Sequence, residues 1–209
     1  MITLNKLLIG YNKPLADPID YIFQDGKVYG ILGPSGCGKS TLLKTIAGMQ
    51  PSLSGTVQNN KPDQIYMMHQ RYTNFNWLNC LDNILIAERD RRKRKELTSV
   101  ALDILDKVGL KEYCSRYPME LSGGMQQRLA LARVLFVKPS YLLMDEPLSA
   151  LDDNTRSSMQ ALIMDIHKKT NGTIVMVTHS RAEAMKMCDQ ILQFKGGKYY
   201  ELVGKNGTC

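Results

Sequence analysis

The sequence has no apolar run close to the roughly 18 to 20 residues that a membrane-spanning helix needs. Its first ten residues also lack the basic stretch and apolar segment of a secretory leader. Neither a spanning helix nor secretion is expected. Cysteine is sparse: five are scattered at positions 37, 80, 114, 188 and 209, with no two at metal-ligand spacing. An odd number cannot close fully into internal disulfides, so a reducing cytosol fits best. Internal repeats, low-complexity tracts and long flexible linkers are absent as well. In 209 residues one core with an insertion is expected, and no regulatory domain.

What is present is an ordinary globular composition, 44% hydrophobic and 22% charged, with a net charge of +7. Much of that charge lies in one run, Glu88-Arg89-Asp90-Arg91-Arg92-Lys93-Arg94-Lys95-Glu96. Acids break the run and no aromatic residue interleaves it, so it reads as a solvated helix face rather than a nucleic-acid surface.

Val28–Leu32 is a short, mostly apolar run that ends in a glycine loop, and the loop opens into a helix-compatible segment, 40–47. Two further runs, 141–144 and Thr173–Val177, have the continuous apolar character of buried parallel strands followed by polar residues. Between them Met159, Leu162, Ile163 and Ile166 repeat at helical spacing, and Asn171-Gly172 stops that helix. The core is therefore expected to be α/β, built from 1–80 and 138–209. The stretch 81–137 carries helical patterning and few strand signals, and is expected to be an inserted helical subdomain. After Ile191, Gly196-Gly197 marks a final hairpin.

Gly33-Pro34-Ser35-Gly36-Cys37-Gly38-Lys39-Ser40-Thr41 carries the chemistry most clearly. Glycines at these spacings let backbone N–H groups wrap phosphates, and the following helix adds the positive end of its dipole. Lys39 would pair the β- and γ-phosphates of a nucleoside triphosphate, and Ser40 would ligate magnesium. Cys37 is a small filler with no chemistry of its own. Tyr141-Leu142-Leu143-Met144-Asp145-Glu146 is an apolar strand ending in two carboxylates. Successive strand residues point opposite ways, so the two acids need not share a task. Asp145 fits the magnesium side, and Glu146 could polarise the attacking water.

Leu121-Ser122-Gly123-Gly124-Met125-Gln126-Gln127-Arg128 places a second glycine pair at a helix start, where a hydroxyl and free N–H groups make another anion site. On its own such a segment is more often a plain cap. His179 follows the Thr173–Val177 strand, from which an imidazole could reach a terminal phosphate. Gln70 follows the apolar patch Ile65–Met68 and is a candidate to contact magnesium and the attacking water. Tyr11, upstream of the loop, could stack on a base, although an isolated aromatic is as often core. His69 and His167 read as satisfied polar residues.

Taken in order, the loop 33–41, Gln70, Leu121 to Arg128, the strand with Asp145 and Glu146, Ser149-Ala150-Leu151-Asp152 and His179 resemble the motif set of the ABC ATPases. The match covers nearly the whole chain. The resemblance implies a phosphate-loop NTPase core of RecA-like ABC type, an inserted helical subdomain and a small N-terminal β subdomain. It implies ATP with Mg2+, and two ATP molecules sandwiched in a head-to-tail dimer. The second copy is this chain or a homologous ATPase subunit. Ser122, Gly123 and Gly124 would then grip the partner's γ-phosphate, and 149–152, ending in Asp152, would signal across the dimer. Gln70 would link ATP to the membrane subunit, and Tyr11 would be the adenine-stacking aromatic. The fifth signature position, often Gln, is Met125 here, so any contact through that side chain is lost. Ser122 and both glycines remain.

Within the family, Phe75-Asn76-Trp77-Leu78 followed by Leu81-Asp82-Asn83 is similar to a segment of importers of the nitrate, sulfonate and taurine group, with Asn76 where a Pro is usual. The resemblance implies an ATPase subunit on the inner face of the cell membrane, served by separate permease subunits and a substrate-binding protein. Two other readings are weighed beside it. ABC ATPases acting on nucleic acid or ribosomes usually carry two cassettes or coiled-coil insertions, and a phosphate-loop kinase would not need Ser122-Gly123-Gly124 or the pairing of Glu146 with His179. This chain has neither doubled cassette nor coiled coil, and no nucleic-acid partner is expected.

Overall fold

The structure, a computed structural model, describes residues 1–59, 61, 64–69, 74–88 and 90–202. These residues fall into two compact units. One comprises Met1–Gln70, Pro139–Pro147 and His167–Cys209, and the other Arg71–Lys138 and Leu148–Ile166.

The first unit holds both sheets. Strands β1 (Ile2–Leu8), β2 (Ile19–Phe23) and β4 (Ser54–Asn59) form an antiparallel sheet in the order β2-β1-β4. The larger sheet runs β5-β6-β7-β3-β8-β9, from β3 (Val28–Leu32), β5 (Ile65–Met68), β6 (Tyr141–Asp145), β7 (Thr173–Val177), β8 (Gln190–Lys195) and β9 (Lys198–Leu202). Its first five strands are parallel, and β9 returns antiparallel to β8 through Gly196 and Gly197, both at positive φ. A two-residue turn with two positive φ values matches the right-handed twist of the strands it joins.

Every residue of β3, β6 and β7 is buried. This is why these strands are apolar throughout instead of alternating: a parallel sheet is covered on both faces. Helix α1 (Lys39–Ile46) follows β3 and packs Leu42, Leu43 and Ile46 into the same core as Ile31, Leu143, Val175 and Val177. Helix α7 (Arg181–Met187) covers β3 elsewhere, and there Gly30 is required. A methyl group at Gly30 would sit 2.9 Å from Cys188 Sγ and 3.3 Å from Ala184 Cβ.

The second unit contains no strand among the described residues. It holds α2 (Cys80–Leu85), α3 (Arg91–Glu96), α4 (Thr98–Lys107), α5 (Gly123–Val137) and most of α6 (Asp153–Thr170). Helix α4 buries Ala101, Ile104 and Leu105, one face at helical spacing. Helix α5 ends at Lys138, which takes the left-handed conformation (φ 49°) common at helix C-termini. Helix α6 stops at Asn171, also left-handed (φ 49°), followed by Gly172.

Candidate functional site

The C-terminal ends of β3, β6 and β7 lie side by side, and this is the edge where open parallel sheets collect ligands. The loop after β3 carries the glycine motif. Gly36 and Gly38 adopt φ values of 80° and 101°, a region that penalises any Cβ. At Gly38 an added methyl would also meet Ile9 Cδ1 at 3.1 Å and Leu15 Cβ at 3.2 Å. The backbone is thus fixed both by conformation and by what packs beneath it.

Lys39 is 6% exposed, and its ammonium donates to the carbonyls of Gly33 and Pro34, each at 2.8 Å. The Cys37 thiol lies 4.0 Å from the same nitrogen, and Cys37 N–H donates to Pro34 O at 3.4 Å. A buried cation held at the mouth of a glycine loop is suited to receive anionic oxygens. Next along α1, the Ser40 hydroxyl donates to Asp145 Oδ1 at 2.9 Å. Asp145 is buried at the last position of β6. A hydroxyl and a carboxylate are hard oxygen donors and fit magnesium. No group of three or more His, Cys, Asp or Glu side chains gathers to hold an ion among the described residues.

Glu146 leaves the strand with φ 51°, an uncommon conformation for a non-glycine residue. Its N–H donates to Val177 O at 3.0 Å, which holds the turn. The turn sends the two adjacent acids to different partners: Asp145 to Ser40, and Glu146 to His179, with Oε2 3.8 Å from Nδ1. That separation is too long for a hydrogen bond. The His179 ring is 69% exposed, so it faces solvent at the same sheet edge.

Sequence reasoning missed the support behind His179. Thr178 N–H donates to Ile31 O at 3.2 Å, and the buried Thr178 hydroxyl donates to the buried Glu183 carboxylate. Ser180 caps α7 by accepting from Glu183 N–H at 3.2 Å. Ser180 followed three residues later by Glu183 is a capping pattern visible in the chain itself. Tyr11 is 65% exposed and so is not a core residue. Gln70 lies outside the described residues.

In the second unit, Ser122 caps α5, its hydroxyl accepting from Met125 N–H at 3.3 Å. Ser122 and Gly123 are exposed, and a Cβ at Gly123 would meet nothing. Gly124 is closer to its surroundings, since an added Cβ would lie 3.4 Å from both Ala150 O and Leu151 Cδ2. The segment 149–152 is tied to the same helix, with Ala150 N–H donating to Gln127 Oε1 at 3.3 Å. Asp152 accepts from Thr155 N–H at 3.0 Å at the start of α6. Hydrogen bonds from Thr155 hold its carboxyl below the usual carboxylate range.

The chain matches the ABC transporter family over residues 16–149, well over half its length. The chain belongs to the ABC transporter family. It is an ATP-binding, ATP-hydrolysing cassette of that family. It is 39% identical to the aliphatic sulfonates import ATP-binding protein SsuB 1 of Agrobacterium fabrum, over 90% of this chain and 68% of that protein. It is also 39% identical to the sulfate/thiosulfate import ATP-binding protein CysA of Mycobacterium bovis, covering 87% of this chain and 55% of that protein. With the spermidine/putrescine import ATP-binding protein PotA of Trichodesmium erythraeum the identity is again 39%, over 88% and 51%. The chain thus spans about half the length of the last two relatives. Among solved structures, the dimeric bacterial ABC transporter cassette MJ0796 superposes with a TM-score of 0.84 at 26% identity, over 98% of this chain and 100% of that one. The same cassette bound to ADP and Pi in a post-hydrolysis state gives 0.82 at 25% identity, with the same coverage.

Proposed function

We propose that this cassette powers import through separate transmembrane subunits, working as a head-to-tail pair with Mg-ATP between the phosphate loop of one copy and Ser122-Gly123-Gly124 of the other. The observation that carries the reading is the shared sheet edge. Lys39, the Ser40–Asp145 pair at 2.9 Å and the Glu146–His179 pair at 3.8 Å all arise from adjacent strand ends. The exposed Ser122 and Gly123 leave a second anion site that one nucleotide in the same chain does not need.

In this mechanism Lys39 exchanges its carbonyl partners for β- and γ-phosphate oxygens. Ser40 and Asp145 would hold magnesium, which when bound would neutralise charge developing on the phosphates. Glu146 accepts the proton of the attacking water, and His179 orients the γ-phosphate beside it. Gln70, by resemblance to the family, would contact the magnesium and the attacking water and relay nucleotide state to the permease. Tyr11 stacks on adenine, and 149–152 with Asp152 passes the state of one site to the other. Import is the direction shared by the names of the three relatives. A substrate-binding protein delivers the cargo from the far side. The cassette itself works at the inner membrane face, against the permease subunits; no described helix is long and apolar enough to cross a membrane.

The test is co-expression with a permease encoded beside this chain, followed by reconstitution in liposomes. The reading expects the two to co-purify and ATP turnover to rise when cargo is presented. Vigorous turnover with no permease association, and stimulation by RNA or ribosomes instead, would overturn it.

A further inference from the structure

Asn83 lies in α2 with no solvent exposure, yet its side chain does not serve the helix alone. Its Oδ1 accepts from Phe75 N–H at 2.8 Å. Its Nδ2 donates to Leu78 O at 2.8 Å, and to Phe75 O and Asn79 O at 3.0 Å each. One amide has two N–H hydrogens, so three convergent carbonyls mean that one hydrogen is shared. This side chain therefore closes the segment 75–79 into a ring around itself. A buried polar side chain with every group engaged is costly to disturb and fixes the backbone that engages it.

The pinned segment is fastened in turn to α5. Asn74 Nδ2 donates to Gln126 O at 2.9 Å, in the second turn of that helix. The Arg133 guanidinium lies over the Phe75 ring, 4.5 Å from its centroid, and Phe75 contacts the Trp77 ring at 5.4 Å. Trp77 is 72% exposed and is the chain's single tryptophan. Helix α5 begins at Ser122, Gly123 and Gly124. From its first turns it also holds 149–152 through Gln127.

The geometry points to Asn83 as a positioning residue for ATP turnover. It makes the Trp77 segment and α5 move as one piece, so a displacement of the exposed Trp77 edge re-aims the Ser122-Gly123-Gly124 end. This rests on the composite-site reading above, because that end acts on nucleotide held by a second copy. The transmitted motion is mechanical and involves no covalent step. Arg133 and Asn74 fasten the segment to α5, and Asn83 keeps it stiff.

Steady-state ATP turnover and Trp77 fluorescence test this on the purified chain. With Asn83→Ala, kcat should fall about 10- to 100-fold, the scale expected when a reacting group is misplaced by about an ångström. KM for ATP should stay within about twofold, because the phosphate loop that captures ATP keeps its contacts. In the parent, Mg-ATP should shift Trp77 emission in step with dimer formation. In Asn83→Ala that shift should be lost while ATP still binds. If Asn83→Ala does not fold, Asn74→Ala serves, since it removes only the bond to Gln126 O from a half-buried loop residue. Arg133→Ala should resemble it, and Arg133→Lys, which keeps a cation over Phe75, should recover part of kcat. A parent that dimerises and turns over ATP, with the Asn83 and Asn74 variants matching it in kcat and emission, overturns this proposal alone. A fall in kcat with an unaltered Trp77 response overturns it too. A parent that neither dimerises nor hydrolyses ATP overturns the composite-site reading and this one together.

Discussion

The Ser40 hydroxyl donates to Asp145 Oδ1 at 2.9 Å, although the two residues are 105 positions apart in the chain. Ser40 lies in the first turn of α1 behind β3, and Asp145 closes β6, two strands away across β7. The bond exists because parallel strands end together, and it sets two oxygen donors where a magnesium ion would meet a triphosphate. Ser40→Ala should therefore weaken magnesium-dependent ATP binding about tenfold or more, the loss of one ligand and its hydrogen bond. ATP binding in excess chelator should change little. Calorimetric titration with and without magnesium separates the two, and an equal loss in both conditions would count against the assignment.

Glu146→Gln should keep ATP affinity and lower turnover about 100-fold or more, within the range that a general base contributes. It should also accumulate a nucleotide-dependent dimer. Light scattering on the size-separated variant with Mg-ATP reads the mass directly, and a persistent monomer would sink the head-to-tail arrangement.

Lys39→Ala removes a buried ammonium that now satisfies two carbonyls. Charged hydrogen bonds contribute about 1.5 to 3 kcal/mol, so ATP affinity should fall about 10- to 150-fold. Equilibrium binding of a fluorescent ATP analogue measures it. Normal affinity in this variant would refute the phosphate assignment.

Burial, with smaller contributions from Cys114 and Glu120, pushes the Cys80 thiol up from 9.0 to about 11. Above pH 9 the unfolded chain releases that proton while the folded chain still holds it, so stability falls as pH rises from 9 toward 11. Below pH 9 Cys80 adds no pH dependence. Thermal melts across this window should decline less steeply for Cys80→Ala than for the parent, and parallel slopes would show that the thiol is not the titrating group.

Much of the site was legible because its signals are local. Glycine spacing specifies the loop 33–41, and a continuous apolar run ending in two acids specifies β6. The split between Asp145 and Glu146 was legible only in part. Strand alternation suggests that the two acids diverge, but the left-handed turn at Glu146 depends on a bond to Val177, which no window around 146 contains. The support of His179 by Thr178 and Glu183 was written in Ser180-x-x-Glu183, yet its value lies in burial that only the packed α7 supplies. The same holds for the charged run. In sequence its acids only break the basic run, whereas Glu88 accepts from Asp90 N–H at 3.0 Å and Asp90 caps α3 by accepting from Arg92 N–H at 2.9 Å. The stretch 81–137 carries the helical pattern, but the compact helical unit also takes in Leu148–Ile166. That grouping follows from tertiary packing, to which periodicity is blind.

The ammonium of Lys39 already rests on oxygens of its own loop. Nucleotide arrival is then a substitution of one set of oxygens for another rather than the capture of a loose side chain. Little rotamer entropy remains to be lost at that moment. The cassette can reload after each cycle without refolding its grip, and the Lys39 share of its affinity for ATP is the difference between phosphate and the two carbonyls it displaces.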